Sequence, residues 1–262
     1  NVVRIEGGPS GYTVPNFFHE VIDWGMDDAV AVISDSWWHA KQALNSLPIE
    51  WLEGKNQVVN SSDINSDLLR KLGQNGEIIR QEGDVEQGFR EAEEIVEATY
   101  YYPFLEHAPL EPMNCTALFQ EESLEVWAPT QYGDEALRIA AYAAKLPPYK
   151  VKLHLTLAGG GYGRRLHSDF VSQAVQIAKK MPGIPIKLIC SREESIQRSY
   201  YSPVMAAKFK GGLNAEGDLT TWESHVCQGN SVYQPYGLSR MVYSLPNTKI
   251  SYSEIPTPPP FA

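Results

Sequence analysis

Cysteine is scarce in this chain, with three among 262 residues, and Cys115, Cys190 and Cys227 stand far apart. That number and scatter exclude a disulfide framework, a zinc knuckle and an iron–sulfur cluster held by this chain. Cys190 closes an apolar run and reads as a small buried hydrophobe. Long apolar runs are missing too. None approaches the roughly 18 residues that would cross a bilayer as a helix. Positive charge is in deficit, with 22 Lys and Arg against 32 Asp and Glu and a formal net charge of −10. Such a surface repels a nucleic-acid backbone, and no local basic patch offsets it, so no nucleic-acid partner is expected. No Gly-Lys-Ser/Thr closes a glycine run, which excludes a nucleotide-triphosphate P-loop, and no Gly-x-Ser-x-Gly elbow supports a serine hydrolase. The six histidines, His19, His39, His107, His154, His167 and His225, form no i,i+4 pair with a third ligand, so no protein-held metal is expected. No internal repeat is present.

What the chain does contain is a core. Its hydrophobic content is 43% and its aromatic content 11%, values of a globular protein long enough for two domains. Strands are expected at Val30–Ile33, Ile49–Leu52, Glu93–Tyr102, Cys115–Gln120, Leu124–Ala128, Val151–Leu157, Ile184–Cys190, Val204–Lys210, Leu219–Cys227 and Lys249–Tyr252. Helices are expected from Trp37 to about Leu44, near Leu68–Leu72, over Asp84–Ala92, over Asp134–Lys145 before Pro147-Pro148, and from Ser168 to Lys180. The polar stretch 54–85 reads as a linker. The fold class is therefore α+β, with mixed sheets and packed helices.

The segment Gly159-Gly-Gly-Tyr-Gly-Arg-Arg165 sits between a strand and a helix. Glycines permit positive φ and close approach of a ligand, and free N–H groups beside a helix start favour an anion. Arg164 and Arg165 add forked donors. A ligand cradle and a plain tight turn both fit these residues. The dinucleotide register Ala158-x-Gly160-x-x-Gly163 has alanine at its first glycine. Its carboxylate candidates, Glu193 and Glu194, lie about 30 residues on rather than the roughly 20 of the ribose contact. Glu106-His107-Ala-Pro-Leu-Glu111-Pro-Met-Asn-Cys115 is an irregular, proline-stiffened loop, equally readable as a site or as a solvated connection. Gln131 follows Trp127-Ala-Pro-Thr130 at a strand end, where it suits either a cleft or a helix-capping turn.

Taken together, Glu106–Cys115, Val126–Gln131, Gly159–Arg165 with Asp169-Phe170, and Ser191-Arg-Glu-Glu194 resemble, in order and spacing, the molybdenum hydroxylases of the xanthine dehydrogenase and aldehyde oxidase superfamily. The double arginine and Ser34–Lys41 are similar to the large subunits of isoquinoline 1-oxidoreductase and membrane-associated aldehyde dehydrogenase. The resemblance implies a partial α/β hammerhead-like domain in residues 1–53, a linker with short helices in 54–96, and the first molybdopterin-binding domain in 97–262. It implies hydroxylation of an aldehyde or N-heterocycle with oxygen from water. Molybdopterin with molybdenum, in cytosine dinucleotide form, would be the cofactor. Iron–sulfur clusters would sit on a small partner subunit, and a further large-subunit domain would hold the general base, which these residues lack. Gln131 would hydrogen-bond an oxo ligand, Gly160, Gly161, Tyr162 and Gly163 would approach metal and pterin, and Arg164 and Arg165 would lie at the cofactor edge. Three positions depart from the pattern. Tyr162 replaces the usual phenylalanine. Leu166 stands where purine oxidisers carry glutamate, so xanthine is not the expected substrate. Ser202 precedes Pro203 where many relatives have arginine. The resemblance implies a fragment that is inactive alone, and it favours a periplasmic over a cytoplasmic enzyme. The remaining alternatives are a non-catalytic assembly module of the same fold and a nicotinamide-dependent dehydrogenase.

Overall fold

Burial with period two governs the central hairpin. Leu124, Val126 and Ala128 are buried while Ser123, Glu125 and Trp127 are less so, the pattern of a strand with one face on a core. The computed structural model describes residues 1–5, 13–15, 21–23, 28–52, 54–229 and 241–257. His19, residue 53 at the expected domain boundary, and the terminal residues 258–262 lie outside this set. In chain order the elements are β1 (Val2–Ile5), β2 (Thr13–Pro15), β3 (Val21–Asp23), β4 (Ala29–Val32), α1 (Trp37–Asn45), α2 (Ser61–Leu72), β5 (Glu77–Glu82), α3 (Val85–Glu91), β6 (Glu94–Tyr102), β7 (Asn114–Gln120), β8 (Ser123–Ala128), α4 (Gly133–Ala144), β9 (Val151–Leu155), α5 (Asp169–Ala178), β10 (Ile186–Ile189), α6 (Arg192–Gln197), β11 (Met205–Leu213), β12 (Leu219–Gly229) and β13 (Asn247–Ile255).

These elements form two units, each made of two stretches of chain. The first contains residues 1–51 and 107–200, the second residues 52–106 and 201–262. In the first unit a four-stranded sheet has the order β10-β7-β8-β9. β7 and β8 are an antiparallel hairpin, whereas β8 and β9 are parallel. A parallel neighbour needs a crossover, and α4 supplies it. α4 lays Ala136, Ala140, Ala141 and Ala144 on the sheet. α5 adds Phe170, Val171, Ala174, Val175, Ile177 and Ala178, and Ile5 of β1 joins the same core. Lys145 ends α4 in the left-handed region with φ 58, and the prolines that follow stop it.

In the second unit the sheet order is β5-β13-β12-β11-β6. Among the described strands of this sheet, only β12 and β13 pair in parallel. Leu68 and Leu72 of α2 pack with Ala206, Cys227 and Ile255. The stretch read from sequence as a linker with short helices contains α2, longer than the helix expected near Leu68–Leu72, the expected helix α3, and an edge strand, β5, that was not expected. The polar run at 60–67 misleads because it is the cap and outer face of α2. Asn60 Oδ1 accepts from Asp63 N at 2.9 Å, and the buried side of that helix needs only two leucines. Ile49–Leu52 forms no strand, and Trp51 and Leu52 are exposed. β9 stops at Leu155, two residues before the expected end. Thr156 N still reaches Ala128 O at 3.2 Å, but β8 has ended and Leu157 stands in solvent at 98% exposure.

Candidate functional site

Because β8 and β9 are parallel, both leave the sheet at the same edge. β8 runs out into Pro129-Thr130-Gln131 and β9 into the glycine loop. The start of α4 and that of α5 open there as well, and neither Tyr132 nor Ser168 makes a side-chain cap. The ends of parallel strands beside helix starts are where α/β sheets place ligands.

The glycines serve two separate physical needs. Gly160 and Gly163 adopt φ 97 and 103, angles that other residues avoid. Gly159 and Gly161 are glycine because there is no room. A Cβ at Gly159 would lie 2.6 Å from Glu111 Cβ, and one at Gly161 would lie 2.7 Å from Gln131 Cδ and collide with Gln131 Oε1. Tyr162 also has positive φ, at 54, and its ring is exposed.

Gln131 accepts through Oε1 from Gly163 N and Arg165 N, both at 3.2 Å. Two backbone donors at that atom identify it as the oxygen and leave Nε2 as the outward donor. The Gln131 N–H donates to Arg165 O at 3.0 Å, and Thr130 Oγ1 donates to the same carbonyl at 3.1 Å. The N–H groups of Gly160, Gly161 and Tyr162 have no acceptor among the described residues.

The arginines differ from the sequence-based expectation. Arg164 and Arg165 are 2% and 0% exposed, and neither is placed as an open fork for a ligand. Arg164 makes a bidentate pair with Asp169 at 2.8 and 2.8 Å and lies 5.3 Å over the Tyr200 ring. Burial disfavours its charged form, but Asp169 outweighs burial and keeps it protonated. Arg165 donates from Nε to Gly160 O at 2.7 Å, and from Nη2 to Glu111 O at 2.7 Å and Glu111 Oε2 at 2.9 Å. Its Nη1 points to Pro129 O at 3.4 Å and Met113 Sδ at 3.9 Å.

Glu111, read from sequence only as part of a dense loop, is a hub. Its Oε2 accepts from Gly159 N at 2.7 Å and its Oε1 from Asn114 Nδ2 at 2.8 Å. Partial burial pushes its carboxyl up, but the Gly159 N–H, the Asn114 amide and the Arg165 guanidinium prevail and hold it below the usual carboxylate range. Arg192 clamps the same loop, donating to Pro109 O at 2.9 Å and Leu110 O at 3.0 Å. Its sequence signal was present in Ser191–Glu194, a capping box in which Glu194 also pairs with Lys41 at 2.9 Å. Glu194 is thus engaged as a cap and not as a ribose ligand. The loop charges singled out in the sequence divide between the units, since Glu106 belongs to the second and His107 and Glu111 to the first.

Beside this network His167 stacks on Tyr200 with ring centroids 4.2 Å apart. Burial is the main cause of its pKa falling to about 3, so it is neutral at pH 7. Burial also pushes the Cys115 and Cys190 thiols up to about 12, so neither is a thiolate nucleophile. The described residues contain no group of His, Cys, Asp and Glu that could hold a metal.

A parallel-strand edge bearing N–H groups without acceptors and one outward carboxamide donor is suited to an anionic ligand, in a domain of the α+β class. Residues 71–257 match the molybdopterin cofactor-binding domain family, and the chain belongs to it. It is 29% identical over 203 residues to the membrane-bound aldehyde dehydrogenase [pyrroloquinoline-quinone] of Gluconacetobacter polyoxogenes, covering 76% of this chain and 26% of that protein. It is 32% identical over 109 residues to isoquinoline 1-oxidoreductase subunit beta of Brevundimonas diminuta, covering 40% of this chain and 14% of that one. Its fold matches the crystal structure of quinoline 2-oxidoreductase from Pseudomonas putida 86, with a TM-score of 0.66 and 14% identity over 89% of this chain and 32% of the other. The chain therefore spans a third or less of the length of each.

Proposed function

We propose that this chain forms the glycine-loop wall of the molybdopterin site in the large subunit of a molybdenum hydroxylase, an enzyme that oxidises an aldehyde or N-heterocycle with oxygen from water. The observation that carries this reading is the row of three N–H groups at Gly160, Gly161 and Tyr162, beside the Gln131 carboxamide whose oxygen is tied inward. Donors of this kind suit an anionic, oxo-bearing cofactor. In this reading Gln131 Nε2 would donate a hydrogen bond to the oxygen-bearing cofactor, and the N–H groups of Gly160, Gly161 and Tyr162 would help hold it. Gly163 supports Gln131, because its own N–H is engaged there. Among the described residues no group of side chains could hold a metal; the cofactor, when bound, would supply the metal and the redox chemistry. Arg164 and Arg165 hold the cradle and do not touch the ligand.

The resemblance to aldehyde- and heterocycle-oxidising subunits supports further particulars. These are a cytosine dinucleotide form of the cofactor, a small iron–sulfur subunit as electron acceptor, and a general base from a region of the large subunit other than these 262 residues. Residues 1–53 would belong to a hammerhead-like domain. The test is molybdenum content of the large subunit carrying Gly161→Ala, measured beside wild type by elemental analysis. Wild type is expected to load near stoichiometrically and the folded variant at least tenfold less. Equal loading would show that the glycine loop is only a turn.

A further inference from the structure

The three outward N–H groups are oriented by what holds their carbonyl partners. In a trans peptide the C=O and N–H point in opposite directions. Gly159 O is held by Glu111 N at 3.1 Å, which turns the Gly160 N–H away. Gly161 O is held by Arg164 N at 2.9 Å, which turns the Tyr162 N–H away. The middle peptide has no backbone anchor in the described residues. Gly160 O is held by the Arg165 side chain alone, through Nε at 2.7 Å. That peptide lies between two glycines, so neither flanking residue has a Cβ to resist its rotation.

We infer that Arg165 is a positioning residue, a latch that keeps the Gly160–Gly161 peptide from flipping and fixes the Gln131 carboxamide in the same register. This role rests on the cofactor reading above. One residue joins three segments. The Arg165 backbone grips Thr130 and Gln131 through its N–H and C=O, while its guanidinium grips Glu111, Pro129 and Gly160. Glu111 makes the latch rigid, because its carboxylate accepts from Arg165, Gly159 and Asn114 together. Only a planar fork reaches these acceptors at once. A lysine keeps the charge, but its point ammonium cannot bridge them. The arrangement also explains a fully buried cation beside a cofactor loop. The charge faces inward, and what it presents outward is a backbone N–H.

The experiment uses the holoenzyme with Arg165→Lys, Gln131→Ala and the double variant. It reads molybdenum content, thermal midpoint, kcat and KM separately, and the electron paramagnetic resonance spectrum of the reduced metal. Arg165→Lys is expected to keep more than half its molybdenum, to lower kcat at least tenfold with KM within twofold, and to shift the spectrum. The double variant should be no worse than Gln131→Ala within about threefold, because both act through one carboxamide. A wild-type spectrum in Arg165→Lys with only a lowered midpoint, or additive losses in the double variant, overturns the latch. If Gln131→Ala itself leaves spectrum and kcat unchanged, the cofactor reading fails and this role with it. Glu111→Gln serves where Arg165→Lys does not fold. It puts an amide donor among donors, so a folded Glu111→Gln with a shifted spectrum supports the latch, and one with the wild-type spectrum overturns it.

Discussion

Gly161→Ala adds one methyl group where the chain has space for a hydrogen. The backbone tolerates it, because the residue 161 φ lies outside the left-handed region. The neighbour does not, since the new Cβ would stand 2.7 Å from Gln131 Cδ and 3.3 Å from its Cγ. Gln131 is exposed and can swing out, but it then gives up two hydrogen bonds, from Gly163 N and Arg165 N. At about 1 kcal/mol net for each, the variant should lose about 2 kcal/mol. For a chain of this size that lowers the thermal midpoint by about 4–8 °C. Removing the obstacle should remove the penalty. In a Gln131→Ala background the same Gly161→Ala change should cost less than about 0.5 kcal/mol, a coupling of about 1.5 kcal/mol. Gly217→Ala is the control. Its Cβ meets nothing within 4 Å, but its φ is +84, so it should cost about 1–2 kcal/mol in either background. The assay is thermal and denaturant unfolding of the chain, five variants against wild type. An equal cost for Gly161→Ala with and without Gln131 would refute the steric argument.

Two pH-dependent outcomes follow from buried groups. Glu135, in the first turn of α4, is 3% exposed with Oε1 lacking a partner, and burial raises its pKa to about 7. The folded state then keeps a proton that the unfolded state has lost between about pH 4.5 and 7, so stability falls as pH rises through that window. Glu135→Gln should therefore stabilise by up to about 3 kcal/mol at pH 8 and by nothing at pH 4, and equal midpoint shifts at the two pH values would contradict it. His167 shifts the other way, with its folded value of about 3 below the ordinary 6.5. Its neutral form is fully compatible with the fold above pH 6.5, and stability is lost progressively as pH falls toward 3. Compared with His167→Phe, which retains a ring against Tyr200, wild type should lose about 2 kcal/mol more between pH 7 and 5, and parallel stability curves would show that His167 is not responsible.

Local chemistry was legible wherever one element settles its own form. The alternation of Leu124, Val126 and Ala128, the apolar stripe of α5, and the prolines after α4 were all readable, because periodicity and φ restriction act within a few residues. The glycine loop was readable as special, and four motifs in register carried the family. Burial and partner choice were not readable. Asn60–Asp67 reads as loop because capping residues and an exposed helical face share the composition of a loop, and only packing of Leu68 and Leu72 makes α2 worth forming. Arg164 and Arg165 read as ligand donors because arginine beside glycines is chemically suited to phosphate, whatever its side chain faces. Their direction depended on Glu111 and Asp169. Asp169 lies only a few residues from Arg164 in the chain, whereas Glu111 comes from a loop 54 residues away from Arg165. Likewise Gly161 could be named from its motif, but its reason lay in Gln131, which the parallel pairing of β8 with β9 brings against it. The sequence by itself determined most of the regular elements and the family. The tertiary structure decided which donors face inward and which face the ligand, because that choice is made by contacts between segments that no local pattern encodes.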